Sequence, residues 1–245
     1  MTISTILDQL ESTYGNSAGP LTVDPWEMIL SENVVYLADD EVRKSALQAL
    51  RKDIGGHPKD VLAAPRSRLL RISSLGGILP DHCVDKVLRA AKIAHCEFGG
   101  DLRAVLKLPL PEARKALKKF PGIGDPGAEK ILLFTGTHPF LSLESNGLRV
   151  LLRLGYGEEK KGYSATYRSV QEAVEGECPE GCPWRIRATL LLRRHGQETC
   201  KRSKPRCKEC PLVRQCAYAI RFGEKGDVKR STPPKESPRR AKKRR

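Results

Sequence analysis

Four cysteines fall within one 17-residue stretch, Cys200, Cys207, Cys210 and Cys216, separated by six, two and five residues. Thiols at that density restrict folding more than any other feature here, because they must share a metal, oxidise or stay reduced together. A structural zinc site more often shows two Cys-x-x-Cys pairs, and only Cys207-Lys-Glu-Cys210 has that spacing. Four thiolates in a single loop can wrap one metal cubane, as iron–sulfur ligation requires. Zinc and free thiols are the alternatives. A disulfide framework fits poorly, since Met1 to Gly15 shows neither the basic nor the apolar region of a secretory signal. The remaining cysteines, Cys83, Cys96, Cys178 and Cys182, read as small buried hydrophobes.

Charge indicates the partner. Lys and Arg number 44 against 29 acidic residues, a net charge of +15 that favours a polyanion, nucleic acid before anionic membrane. Residues 224–245 hold ten basic and three acidic residues with Pro233, Pro234 and Pro238, which leaves the rest of the chain at +8. This tail lacks the apolar surface to fold and reads as disordered, either a nonspecific phosphate-binding arm or a solvated terminus. No run approaches the ~18 apolar residues of a membrane span. A soluble chain in the cytoplasm or nucleoid (the nucleus in a eukaryote), not secreted, is expected.

Helical periods dominate and alternating strands are scarce, so the chain reads as all-α. Asp24-Pro25-Trp26 opens a capped helix running toward Val35. Helices are expected over Asp40–Lys52, Cys83–Ala94, Pro111–Lys119, Pro126–Phe134, Asn146–Leu154, Tyr163–Val174 and Trp184–His195. Between the helices at Pro111–Lys119 and Pro126–Phe134 lies Pro121-Gly122-Ile123-Gly124-Asp125-Pro126. Its glycines permit a tight turn that aims backbone N–H groups outward at the next helix start, a natural anion site. Ile123 would tuck inward. A Gly-x-Gly turn alone can be a plain αα-corner, but the helix before it carries Arg114, Lys115, Lys118 and Lys119.

This turn resembles the helix-hairpin-helix of the DNA glycosylase superfamily that includes endonuclease III. The cysteine loop, preceded by His195-Gly196 and containing Lys204-Pro205-Arg206, resembles the [4Fe–4S] loop of that family, so Cys200, Cys207, Cys210 and Cys216 are the implied ligands. The loop's cations, Lys204 and Arg206 among them, would meet phosphate. The resemblance spans roughly residues 22–218. It implies a two-lobed fold: a helical block over 24–135 ending in the hairpin, and a second lobe made of 1–23 and 136–222.

Family members that are both glycosylase and lyase carry a Lys two residues beyond the second glycine and an Asp 18 residues later. Here those positions are Pro126 and Glu144, the latter within Leu143-Glu144-Ser145-Asn146-Gly147-Leu148-Arg149-Val150. Proline has no amine to form the Schiff base that β-elimination needs. Glu144 retains a carboxylate to stabilise an oxocarbenium-like sugar and orient water, though its extra methylene shifts the charge by more than about 1 Å, a displacement that can cost on the order of 10²-fold. Lys130, one turn beyond Pro126 on the same face, is a lesser candidate nucleophile; otherwise it is a solvated lysine. By the same resemblance Asn33 would fill the gap left by a flipped base, and Ile78 or Leu79 would wedge between bases; ordinary packing is the alternative for each. Glu32 lines the same expected pocket, either facing a base edge or turned to the surface. Gly122, Ile123, Gly124, Lys118 and Lys119 would contact the backbone.

The expectation is therefore a monomeric base-excision-repair protein acting on damaged or mismatched duplex DNA, a monofunctional N-glycosylase without Schiff-base AP-lyase activity. The alternative is a non-catalytic DNA-damage or structure binder that keeps the fold and the cluster. A nuclease has little support, since no His/Asp metal cluster appears.

Overall fold

A computed structural model describes residues 2–16, 19–36 and 38–222; the basic tail lies outside the described residues. Twelve α-helices and several short 3₁₀ turns make up the described chain, with no strand among those residues. In chain order the helices are α1 (Ile3–Tyr14), α2 (Pro25–Asn33), α3 (Asp40–Asp53), α4 (Pro58–Ala63), α5 (Arg66–Ser73), α6 (Pro80–Phe98), α7 (Leu110–Leu117), α8 (Asp125–Phe134), α9 (Ser145–Leu154), α10 (Tyr163–Glu175), α11 (Cys182–Glu198) and α12 (Ala217–Phe222). No described helix is long and apolar enough to cross a membrane.

Local chemistry sets many of these boundaries. Asp24 caps α2 by accepting from the Glu27 amide at 3.0 Å, with Pro25 in the first turn, and Asp39 caps α3 through the Val42 amide at 2.9 Å. Helix α6 is longer than its apolar face suggests. Pro80 can start it without sacrificing a hydrogen bond, and Gly99 ends it in a left-handed conformation at φ +62°. The added turns place Cys96 on the exposed side, so the expectation of a buried thiol fails there; Cys83 and Cys182 are buried and Cys178 is partly so.

Two hydrophobic clusters form. The first gathers α2 through α8, around Trp26, Ile29, Leu47, Val84, Leu117 and Ile131. The second gathers α1 and α9 to α11, around Ile6, Leu10, Leu151, Tyr167, Val170 and Leu191. Helix α1 has Ile3, Ile6, Leu7 and Leu10 on one face, all buried in this cluster, while Asp8 and Glu11 pair with Arg187 of α11 at 2.9 and 2.5 Å. Thus the chain's first helix joins the lobe built mainly from its later part. Helices α9 and α11 approach closely at Gly196, where a Cβ would sit 2.7 Å from the Asn146 backbone.

A buried ionic network joins the two lobes. Glu129 of α8 is only 3% exposed, yet its carboxylate accepts from Arg114 of α7 at 2.6 Å, the Tyr167 hydroxyl at 2.6 Å and Gln171 Nε2 at 2.8 Å, the last two on α10. Burial, then the adjacent Glu129 carboxylate, push the Tyr167 hydroxyl far above the ordinary phenol range, so it stays a donor. At the other side of the interface Arg193 of α11 pairs with Asp40 of α3.

Candidate active site

The hairpin consists of α7, a turn and α8. Phe120 and Ile123 are buried at 2% and 5% exposure, and the Ile123 amide donates to the Phe120 carbonyl at 3.2 Å, so the turn is held by its own apolar residues. Gly122 adopts φ +75°, and a Cβ there would meet Asn33 Oδ1 at 3.0 Å. Asn33 explains this closeness: its Nδ2 donates to the Pro121 carbonyl at 2.9 Å and to the Ile29 carbonyl at 2.8 Å. Asn33 is thus buried, at 2% exposure, and braces the turn through these bonds. Two of the hairpin's cations are also committed. Lys118 bonds Asp125 and Lys119 bonds Glu97, both at 2.6 Å.

Glu144 is the N-cap of α9. Its Oε1 accepts from the Asn146 and Gly147 amides, both at 2.9 Å, and its Oε2 accepts from Asn146 Nδ2 at 2.8 Å. Two residues earlier, the Ser142 hydroxyl donates to the Pro126 carbonyl at 3.0 Å. Positions 126 and 144, matched only by counting along the sequence, therefore belong to adjoining helix starts, one from each lobe. Tyr163 donates to the Leu143 carbonyl at 3.2 Å; burial, then the Glu144 charge, push its hydroxyl up to about 12.

Lys130 is not a solvated helix lysine. It is paired with Glu32 of α2, and their side chains are 23% and 31% exposed. Burial raises the Glu32 carboxyl, but the charge and hydrogen bond of Lys130, helped by Arg43 and Arg193, outweigh it and hold the group at about 2. The partners lie 98 residues apart, so no local spacing announces the pair.

The segment before α6 is apolar and exposed. Ile78 and Leu79 are 46% and 57% exposed, and Leu79 adopts φ +50°, a left-handed conformation unusual for a branched side chain. Leu75, not singled out from sequence, is similarly exposed.

Cys200, Cys207, Cys210 and Cys216 line one pocket, together with His195 and Arg153. Arg153 donates to Cys200 Sγ at 3.2 Å and to the Lys201 carbonyl at 2.9 Å, while Arg149, one turn earlier, donates to the Cys200 carbonyl at 2.9 Å. These two arginines stitch α9 to the loop; their spacing of four along one helix face is the signal that sequence reading passed over. Burial, then the neighbouring thiols, raise Cys207, and Cys210 is pushed up to about 11, chiefly by burial. His195 is buried, held by Tyr14 at 2.8 Å, and its desolvation lowers it to about 4. Among the described residues no three Cys, His, Asp or Glu side chains gather closely enough to hold a metal ion. The four cysteines share one pocket whose lining holds no carboxylate, an all-thiol donor set of the kind that iron–sulfur ligation uses. Lys204 and Arg206 belong to this loop, Lys204 exposed and Arg206 exposed beside the pocket.

Fold and hairpin together give the chain the all-helical, two-lobed architecture of solved helix-hairpin-helix glycosylases. The chain is 26% identical to endonuclease III of Bacillus subtilis (strain 168) over 84% of its length and 87% of that protein. It is 26% identical to a thymine-DNA glycosylase of Aeropyrum pernix over 84% of its length and 88% of that protein. A solved endonuclease III, trapped as a covalent intermediate with DNA, superposes with a TM-score of 0.71 at 19% identity, over 91% of this chain and 99% of that one. No family model matches the chain. Over most of its length the chain is thus similar to endonuclease III proteins, and it carries proline at the position where the Schiff-base lysine of that family is expected.

Proposed function

We propose that the protein is a DNA N-glycosylase of base excision repair that hydrolyses the base–sugar bond and does not perform Schiff-base lyase chemistry. The observation that carries this reading is the hydrogen-bond inventory of Glu144. A carboxylate offers about four acceptor positions; three are filled by α9, and the remaining one, on Oε2, is available to a water. The cap holds the charge in place at the start of α9, beside the start of α8. In the reaction the C1′–N bond breaks and its electron pair leaves with the base. Glu144 stabilises the positive charge on the sugar and orients the water whose oxygen bonds to C1′; the proton that water gives up passes to the carboxylate and is returned through solvent to the departed base, which carries the electron pair. Position 126 contributes no amine, and Lys130 has its ammonium committed to Glu32, so neither supplies a nucleophile.

Damaged or mismatched duplex DNA, bound by a monomer, is the proposed substrate. Ile78 and Leu79, exposed ahead of α6, would enter the stack when the base leaves it. Cys200, Cys207, Cys210 and Cys216 would hold a [4Fe–4S] cluster, which supplies cross-linking that shapes the basic loop around Lys204 and Arg206. A second reading, a binder that cleaves nothing, is favoured by the same cap, since Glu144 then does purely structural work.

Duplexes carrying a panel of lesions separate the two. Alkali-revealed base release that disappears in Glu144→Gln, which keeps an acceptor for the cap, supports the enzyme. Tight lesion binding with no release across the panel supports the binder. A borohydride-trapped adduct with the wild-type protein would overturn the assignment of a hydrolytic mechanism.

A further inference from the structure

The hairpin's first helix and turn form a groove lined by Arg114, Lys115, Lys118, Lys119 and Asp125. Its charge is largely consumed internally. Arg114 is shared between Glu129 at 2.6 Å and Asp125 at 3.7 Å, Lys118 bonds Asp125, and Lys119 bonds Glu97. Among the described residues only Lys115 of these four cations has no ion-pair partner shown. Asp125 differs from the other two acids. It opens α8, where the helix dipole and free N–H groups also attract an anion, so its carboxylate sits where a DNA phosphate would gain most.

We infer that Asp125 is a resident competitor for backbone phosphate at the hairpin, occupying Lys118 and Arg114 until DNA displaces it. The inference rests on the reading of the protein as a duplex-DNA binder. Both partners of the Lys118–Asp125 pair are more than a third exposed, and exposed pairs contribute little to folding stability. The pair's effect therefore falls on DNA affinity. By spending phosphate-binding capacity on an internal acid, the hairpin weakens its hold on all sequences equally. A larger share of the binding free energy then depends on contacts made only at a lesion.

Removing the acid frees one cation for phosphate. Asp125→Asn should bind an undamaged duplex about 3–10-fold more tightly at low salt, with a log–log salt slope steeper by about 0.9. Between 50 and 200 mM salt, that steeper slope alone erodes the gain about 3.5-fold. Preference for a lesion duplex should fall. Adding Lys118→Gln should abolish the gain, and Asp125→Ser should reproduce it if Asp125→Asn folds poorly. Fluorescence anisotropy with labelled duplexes over a salt series reads all of these. Unchanged or weaker binding by both Asp125 variants, with the wild type binding normally, overturns the inference and leaves the function reading standing. Failure of the wild type to bind any duplex removes both.

Discussion

Replacing Glu129 by Gln tests whether the lobes are held by the buried network. The carboxylate is 3% exposed and accepts three hydrogen bonds, one from a guanidinium. An amide in its place keeps one acceptor oxygen but loses the charge that Arg114 pairs with and turns an NH₂ toward one or more of the present donors, of which only the Tyr167 hydroxyl can also accept. Breaking a buried ion pair costs about 3–5 kcal/mol. Arg114 has a side chain 34% exposed and can recover water, which places the expected loss near the lower end, about 3 kcal/mol. For a chain of this size that is a fall of about 6–12 °C in Tm. Tyr167→Phe removes a single bond to the charged group and should cost about 1.5–2 kcal/mol. Because both changes act on one network, the double variant should lose less than the sum. Thermal and urea unfolding followed by circular dichroism measure each. A Glu129→Gln variant melting within about 2 °C of wild type, or losses that simply add, would refute the idea that this carboxylate ties the lobes together.

The Glu32–Lys130 pair gives a pH signature. Folding lowers the Glu32 carboxyl from 4.5 to about 2, so its contribution is complete above 4.5 and is lost as pH falls toward 2. Allowing for partial exposure, this amounts to about 1–2 kcal/mol that Lys130→Met should lack in urea melts across that range. Cys207→Ser should lose iron and inorganic sulfide together, whereas stoichiometric zinc in the wild type would contradict the cluster assignment. Leu79→Gly relieves a left-handed leucine, so its stability should hold or rise, by up to about 1 kcal/mol, while base excision falls; a clear loss of stability would show that the strain is absent. Pro126→Lys restores an amine beside Glu144 and should yield a borohydride-trapped adduct on abasic DNA; intact binding without trapping would show that residues 126 and 144 do not face one sugar.

What could be read from the sequence was what is encoded locally. The Asp24-Pro25 and Gly-x-Gly signals, the periodic faces of α3 and α9 and the spacing of the late cysteines each need only neighbours along the chain. Helix α1 carried a legible pattern at Ile3, Ile6, Leu7 and Leu10, but its meaning depends on α11, nearly 180 residues away, as its Arg187–Asp8 bond shows. Short helices such as α4 and α5 span too few turns to establish a period. The site was legible only at the positions that could be counted from the hairpin. Asn33 as a brace, Lys130 as a partner of Glu32 and Glu129 as an interlobe anchor all arise from pairs separated by 88, 98 and 38 residues, where sequence carries composition but not contact.

The change from a family Asp to Glu144 illustrates the difference between counting atoms and placing them. Chain length alone moves the carboxylate outward by one methylene, enough to impair a charge that must sit opposite a developing cation. The side chain instead curls back onto its own helix. Its Oε1 lies 2.9 Å from both the second and third amides of α9, the donors that a capping Asp would engage. The helix terminus thus sets where the charge rests, and the additional methylene is taken up in the bend. Asn146 Nδ2 then holds the second oxygen from the side, at 2.8 Å, which limits swing about the carboxylate axis. The three donors fix the carboxylate as an electrostatic role requires, and they also stabilise the start of α9 as any N-cap does. Proline at 126 is compatible with that arrangement, because a Schiff base needs an amine at C1′ but a fixed anion and a water do not.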